Sequence, residues 1–100
     1  MTIRPKFDIQ KLQEQSLKIS AILRALSNPD RLLILAQLAN RESCVGELEE
    51  VLQIQQPTLS QQLGVLRLES LVSTRRDGRK IYYRLAAGPI IELLKSLQIK

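Results

Sequence analysis

Gln56-Pro57-Thr58-Leu59-Ser60-Gln61-Gln62-Leu63 is the stretch whose reading decides the fold. A proline in the first turn suits the start of a helix, where its missing N–H has no intrahelical partner to lose. Leu59, Leu63 and Leu66 then recur at helical spacing and predict a buried stripe that runs to about Glu69. The opposite face carries Gln56, Thr58, Ser60, Gln61, Gln62 and Arg67. Such amide and hydroxyl groups can read base edges, glutamine pairing well with adenine. A plain solvated helix face has the same composition, so the neighbouring segments have to decide between the two readings.

Upstream, Cys44-Val45-Gly46-Glu47 leads into Leu48, Val51 and Leu52 at i, i+3, i+4, a short third helix. Glu47 stands where the acid of a capping box belongs, with Cys44 in the place normally held by Ser or Thr. Ile54 to Pro57 breaks the pattern before the fourth helix. Downstream, Leu71–Arg76 and Lys80–Leu85 are rich in strand formers and flank Asp77-Gly78, a strong hairpin signal. Two short helices joined by a tight turn and followed by a basic hairpin are the parts of a winged helix-turn-helix. In that motif the second helix enters the major groove, and the hairpin touches backbone or minor groove.

Further out, apolar residues Leu12, Ile19, Leu23 and Leu26, widened by Leu17 and Ile22, predict a first helix from about Asp8 to Ala25. Asn28-Pro29-Asp30 restarts the chain with an N-cap, a proline at the first helical position and an acid against the dipole. The second helix, Pro29 to about Ala39, has Leu32, Leu33, Ile34, Leu35 and Leu38 nearly all round and is expected to be the most buried. Asn40 to Ser43 reads as a polar connection. Gly88-Pro89 opens a last helix with Ile90, Leu93, Leu94 and Leu97 on one face. The expected fold is mainly α with a small β-hairpin, a single winged helix-turn-helix domain over residues 1–100 in the order α-α-α-α-β-β-α.

Composition narrows the function. The chain has 100 residues, a formal charge of +5, no histidine, no tryptophan and one cysteine. Without histidine, a Ser-His-Asp or Cys-His nucleophile cannot be built within one chain. Nor can a zinc site of several Cys or His residues. Glu49 and Glu50 point to different faces of their helix and show no evident pocket, so an enzyme is the weakest class. The first residues, Met1 to Lys6, are not followed by the apolar run of a signal peptide. The longest nearly apolar stretch, Leu32 to Ala39, is far below the roughly 20 residues that span a bilayer. A cytoplasmic protein with no membrane partner is expected. The charge is uneven. Residues 1–24 carry +3, residues 41–54 carry −3, and residues 73–84 carry +4 from Arg75, Arg76, Arg79, Lys80 and Arg84 against Asp77. The hairpin arginines and N-terminal lysines are the expected phosphate contacts.

At this point the chain resembles the ArsR/SmtB family of bacterial winged-helix repressors over about residues 16–97. The matching stretches are Leu26–Leu32, Val45–Leu48, Gln56–Leu63 and Leu71–Tyr83, in the correct order. The run Gln56 to Arg67 is especially similar to the BigR-type subgroup, which responds to sulfide or oxidants through cysteine pairs. The resemblance implies an operator-binding repressor and a homodimer held by the first and last helices. It places DNA contacts at Gln56, Thr58, Ser60, Gln61 and Gln62 and in a wing around Arg79, with Arg75, Arg76 and Lys80 beside it. The dimer face is expected at Leu12, Ile19, Ile90, Leu93, Leu94 and Leu97. Relatives commonly have histidine at position 62; glutamine keeps the hydrogen bonding but cannot change charge near neutral pH.

The same resemblance bears on sensing. Metal and arsenic sensors of the family commonly carry Cys-Val-Cys where this chain reads Cys44-Val45-Gly46, and the last helix offers only Glu92. No metal and no cofactor are therefore expected. The subgroup's first cysteine matches Ala36, and its second falls just past Lys100. Cys44 is left as a candidate redox residue, against the plainer reading of a small half-buried residue at a helix start. A helix N-terminus can lower a thiol pKa, but Glu42 and Glu47 oppose this. The inducer is unknown. The rival from another class is a winged-helix protein-interaction module; such a face would expose apolar or aromatic anchors, and Gln56 to Gln62 has none.

Overall fold

Helix starts follow cap chemistry. The Asp8 carboxylate accepts from the Lys11 N–H at 3.1 Å and opens α1 (Ile9–Leu26). Asn28 Oδ1 accepts from the N–H groups of Asp30 and Arg31 at 2.9 and 3.1 Å and opens α2 (Pro29–Asn40), with Pro29 in its first turn. A two-residue strand β1 (Ser43–Cys44), α3 (Val45–Leu52) and α4 (Thr58–Leu68) follow, then the hairpin β2 (Val72–Asp77) and β3 (Lys80–Leu85), and finally α5 (Pro89–Leu97). These elements come from a computed structural model, which describes residues 6–86 and 88–98. The N-terminal stretch Met1–Pro5 singled out above lies outside the described residues.

The winged helix-turn-helix is present, and helix ends differ from expectation by a residue, as ends do. Two expectations need correction. First, the order contains an extra strand. Ser43 pairs with Tyr83 and Cys44 with Tyr82, giving an antiparallel sheet ordered β1-β3-β2. Two residues are too short to show a period in sequence, but they cover what would otherwise be an open edge of β3. Second, Ile90, expected at a dimer face, is fully buried in the chain's own core and has no surface left to give a partner. As expected, α2 is the most buried helix, with only Pro29, Leu33 and Asn40 exposed. Ile34, Leu35 and Leu38 are buried, whereas Leu33 is 47% exposed where it lines an open groove between α2 and α5.

The core is where the leucine stripes meet. Ile34, Leu35, Leu48, Leu59, Leu63, Leu66 and Ile90 are sealed from solvent, drawn from four helices. Leu59, Leu63 and Leu66 are the stripe read from the deciding stretch, so α4 is fixed by its apolar back and shows its polar face outward. Tyr83 and Leu85 of β3 and Val72 of β2 join the same core, which ties the root of the hairpin to the helices.

Candidate nucleic-acid interface

The start of α4 uses an unusual cap. Its N-cap is Pro57, which has no side-chain acceptor. Gln56 supplies one instead: its Oε1 accepts from the Ser60 N–H at 3.0 Å, while its Nε2 donates to Glu49 Oε1 of α3 at 3.4 Å. Gln56, a predicted DNA contact, thus also joins the two helices of the motif. Thr58 is half-buried, and Ser60 and Gln61 are exposed. Among the described residues, the side chains of Thr58, Ser60 and Gln61 make no hydrogen bond within the chain, so their donors and acceptors are unspent. Gln62 is half-buried, and its Oε1 accepts from Arg31 Nη1 of α2 at 3.1 Å.

α4 ends without glycine. Ser70 takes a left-handed φ of 59°. The Leu71 N–H donates to the Leu66 carbonyl at 3.0 Å and the Ser70 N–H to the Arg67 carbonyl at 3.0 Å. This is a Schellman closure, with Leu66 and Leu71 as its hydrophobic pair. It sends the chain directly into β2.

In the hairpin, Asp77 pairs with Lys80, so Gly78 and Arg79 are the two turn residues. Gly78 has φ 64° and Arg79 does not share the positive sign. That combination suits a type II′ turn, whose first central position favours glycine. The turn sits one residue later than a tight turn centred on Asp77-Gly78, and it puts Arg79 at the tip. Arg76, Arg79 and Lys80 are exposed, and among the described residues none lies within 4.0 Å of a carboxylate. Arg75 is placed differently. Its Nε donates to Glu42 Oε1 at 2.8 Å, and its guanidinium lies 4.7 Å from the Tyr82 ring centroid. The hydrogen bond with Glu42 raises the Arg75 pKa, and the same bond holds the Glu42 carboxyl below its ordinary 4.5. Glu47 is also lowered, first because it accepts from the Cys44 N–H at 3.0 Å. This is the acid's half of the capping box anticipated above. Cys44 is buried beside that bond.

Sequence reasoning missed Arg31 and Glu42. Arg31 donates to the carbonyls of Arg24 and Ala25 as well as to Gln62. Neither residue belongs to an apolar period or a turn motif, and their side-chain partners Gln62 and Arg75 lie 31 and 33 positions away, so no local signal marks these pairs.

A model of bacterial regulatory proteins of the arsR family matches residues 28–74, which run from the cap of α2 into β2. A biofilm growth-associated repressor of Agrobacterium fabrum is 44% identical over 86% of this chain and 74% of its own length. This chain belongs to the arsR family. Among further arsR-family relatives, the transcriptional activator HlyU of Vibrio cholerae is 38% identical over 90% of this chain and 86% of that protein. The crystal structure of the transcriptional repressor BigR from Xylella fastidiosa superposes with a TM-score of 0.85 at 40% identity, covering 91% of this chain and 93% of that one. As an arsR-family member the chain is a DNA-binding transcriptional regulator and not an enzyme. No helix among the described residues is long and apolar enough to cross a membrane.

Proposed function

We propose that this regulator works as a homodimeric, cytoplasmic repressor that sits on operator DNA with one α4 in each of two half-sites. The observation that carries the reading is the polar edge of α4, Thr58, Ser60 and Gln61, unspent among the described residues, in one chain with wing cations Arg76, Arg79 and Lys80 that have no carboxylate partner among those residues. The helix supplies base readout and the wing supplies phosphate attraction. Gln56 and Gln62 join the reading edge while also bracing α4. Arg75 serves the wing from its root, where Glu42 and Tyr82 hold it.

The dimer is supported by what α1 leaves uncovered. Only Ile22 and Ala25, near its C-terminal end, are buried, and Leu17 is 87% exposed. Leu12 and Ile19 on α1 and Leu93, Leu94 and Leu97 on α5 are the faces offered to the partner.

Protection of DNA upstream of the regulator's own gene tests the proposal. Two protected half-sites about one helical turn, ~34 Å, apart are expected, with derepression of a reporter in the gene's absence. Failure to prefer any sequence over random duplex would favour the protein-docking alternative. Burial of Cys44 supports its role as a packing residue, since oxidants reach exposed thiolates first. Cys44→Ser is therefore expected to bind operator as wild type does, and peroxide is expected to leave both unchanged.

A further inference from the structure

The bond between Arg31 and Gln62 limits what position 62 can read. Arg31 Nη1 donates to Gln62 Oε1 at 3.1 Å, its Nε donates to the Ala25 carbonyl at 3.1 Å, and its Nη2 to the Arg24 carbonyl at 3.1 Å. A guanidinium has only donors, so the amide atom that faces it must be the carbonyl oxygen. The two carbonyls at the end of α1 hold the guanidinium plane, and the plane in turn holds the amide. Gln62 Nε2 has no partner among the described residues. No described side-chain nitrogen or oxygen is both buried and unpartnered, so Nε2 opens to solvent.

We propose that Arg31 is a positioning residue that locks the Gln62 amide with its donor outward, making position 62 a donor-only reader of base edges. This rests on the reading of α4 as the groove helix. An unconstrained glutamine can present either end of its amide, or both ends to adenine. Locked, it favours an edge with an acceptor, such as purine N7, guanine O6 or thymine O4. It disfavours cytosine, whose N4 amino group would meet another donor. Gln61, with no bond within the described chain, keeps the two-ended adenine pairing.

The test measures base preference with the full chain, using an operator selected from randomised duplexes by the wild-type protein. Wild type is expected to penalise cytosine about tenfold at one base pair of each half-site. Gln62→Glu keeps an acceptor for Arg31 and turns a second acceptor outward. It is expected to reverse the preference toward cytosine at that base pair, with lower overall affinity. Arg31→Met frees the amide to turn over, and the cytosine penalty is expected to disappear. Arg31→Lys still offers a donor and should keep the penalty even where Arg31→Met folds poorly. Ile34→Val, a mild core variant, should leave the profile unchanged and separates preference from stability. A penalty that survives Arg31→Met, or that Ile34→Val also removes, overturns the locking role and leaves the groove helix intact. A profile untouched by both Gln62→Glu and Gln61→Ala overturns the groove reading itself, and the proposal with it.

Discussion

The Glu42–Arg75 pair has a pH signature. Glu42 is held below its ordinary 4.5 chiefly by the hydrogen bond from Arg75. The native carboxylate therefore stays ionised at a pH where the unfolded chain already takes up a proton. Its contribution to stability is fully present above the unfolded pKa and is lost as pH falls through the folded one. Glu47 shifts in the same direction through the Cys44 N–H. Glu42→Gln is expected to flatten, and Glu42→Gln with Glu47→Gln to flatten further, the fall in denaturation midpoint between about pH 6 and pH 3. Equal acid sensitivity in wild type and double variant would show that neither carboxyl is linked to folding. On DNA, two residues should separate cleanly. Arg79→Ala removes one tip cation and should weaken binding to every sequence, reducing the salt slope by about one. Gln61→Ala should leave that slope alone and cost roughly 1–3 kcal/mol at the matched base pair only. Titrations at several salt concentrations on specific and random duplex tell the two effects apart. The proposed contact residues are legible as a pattern because they recur on one helix face and in one charged hairpin. Their supports are not, since Arg31 and Glu42 act across more than thirty positions.

At the scale of elements, apolar spacing and punctuation residues carried most of the fold. Asn28-Pro29 and Asp77-Gly78 mark a cap and a turn by chemistry that is local. The end of α4 was opaque for the opposite reason. Its closing position holds Ser70 and not glycine, and it adopts φ 59° only because Leu71 must turn back into the core beside Leu66. A side chain in the left-handed region carries a local penalty that glycine lacks. Ser70→Gly is thus expected to raise stability by about 0.5 kcal/mol, and Ser70→Val to lower it by about 1 kcal/mol or more, since β-branching is worst there. Urea denaturation reads both, and the wrong order of wild type and the two variants would refute the closure. Strand β1 was hidden by length. Two residues cannot display alternation, so only the pairing Ser43–Tyr83 in three dimensions reveals it.

For the whole molecule, the shape argues for a second subunit. The Cα radius of gyration is 15.5 Å, against about 13 Å for a compact 100-residue domain. The excess comes from an element order that begins with an 18-residue α1 of which only Ile22 and Ala25 are buried. In proteins most helical stability comes from a packed apolar face and not from propensity. α5 repeats the pattern in smaller form: Ile90 anchors it in the core, while Leu97 is 57% exposed. Beside it, Leu32, Leu33 and Ala36 of α2 and Ile91 and Leu94 of α5 line an open apolar groove of about 490 Å³. A partner's helices would cover these surfaces together and set the spacing of two α4 helices, so association and operator affinity should fall together. Leu97→Glu tests this without touching the core. Sedimentation is expected to show dimers for wild type and monomers for the variant at the same micromolar concentration. Far-UV circular dichroism should show the central helices retained. Operator affinity should drop about a hundredfold or more, because each half-site alone loses the effective concentration that linkage provides. A monomeric Leu97→Glu with undiminished operator affinity would mean that one chain suffices to read the site.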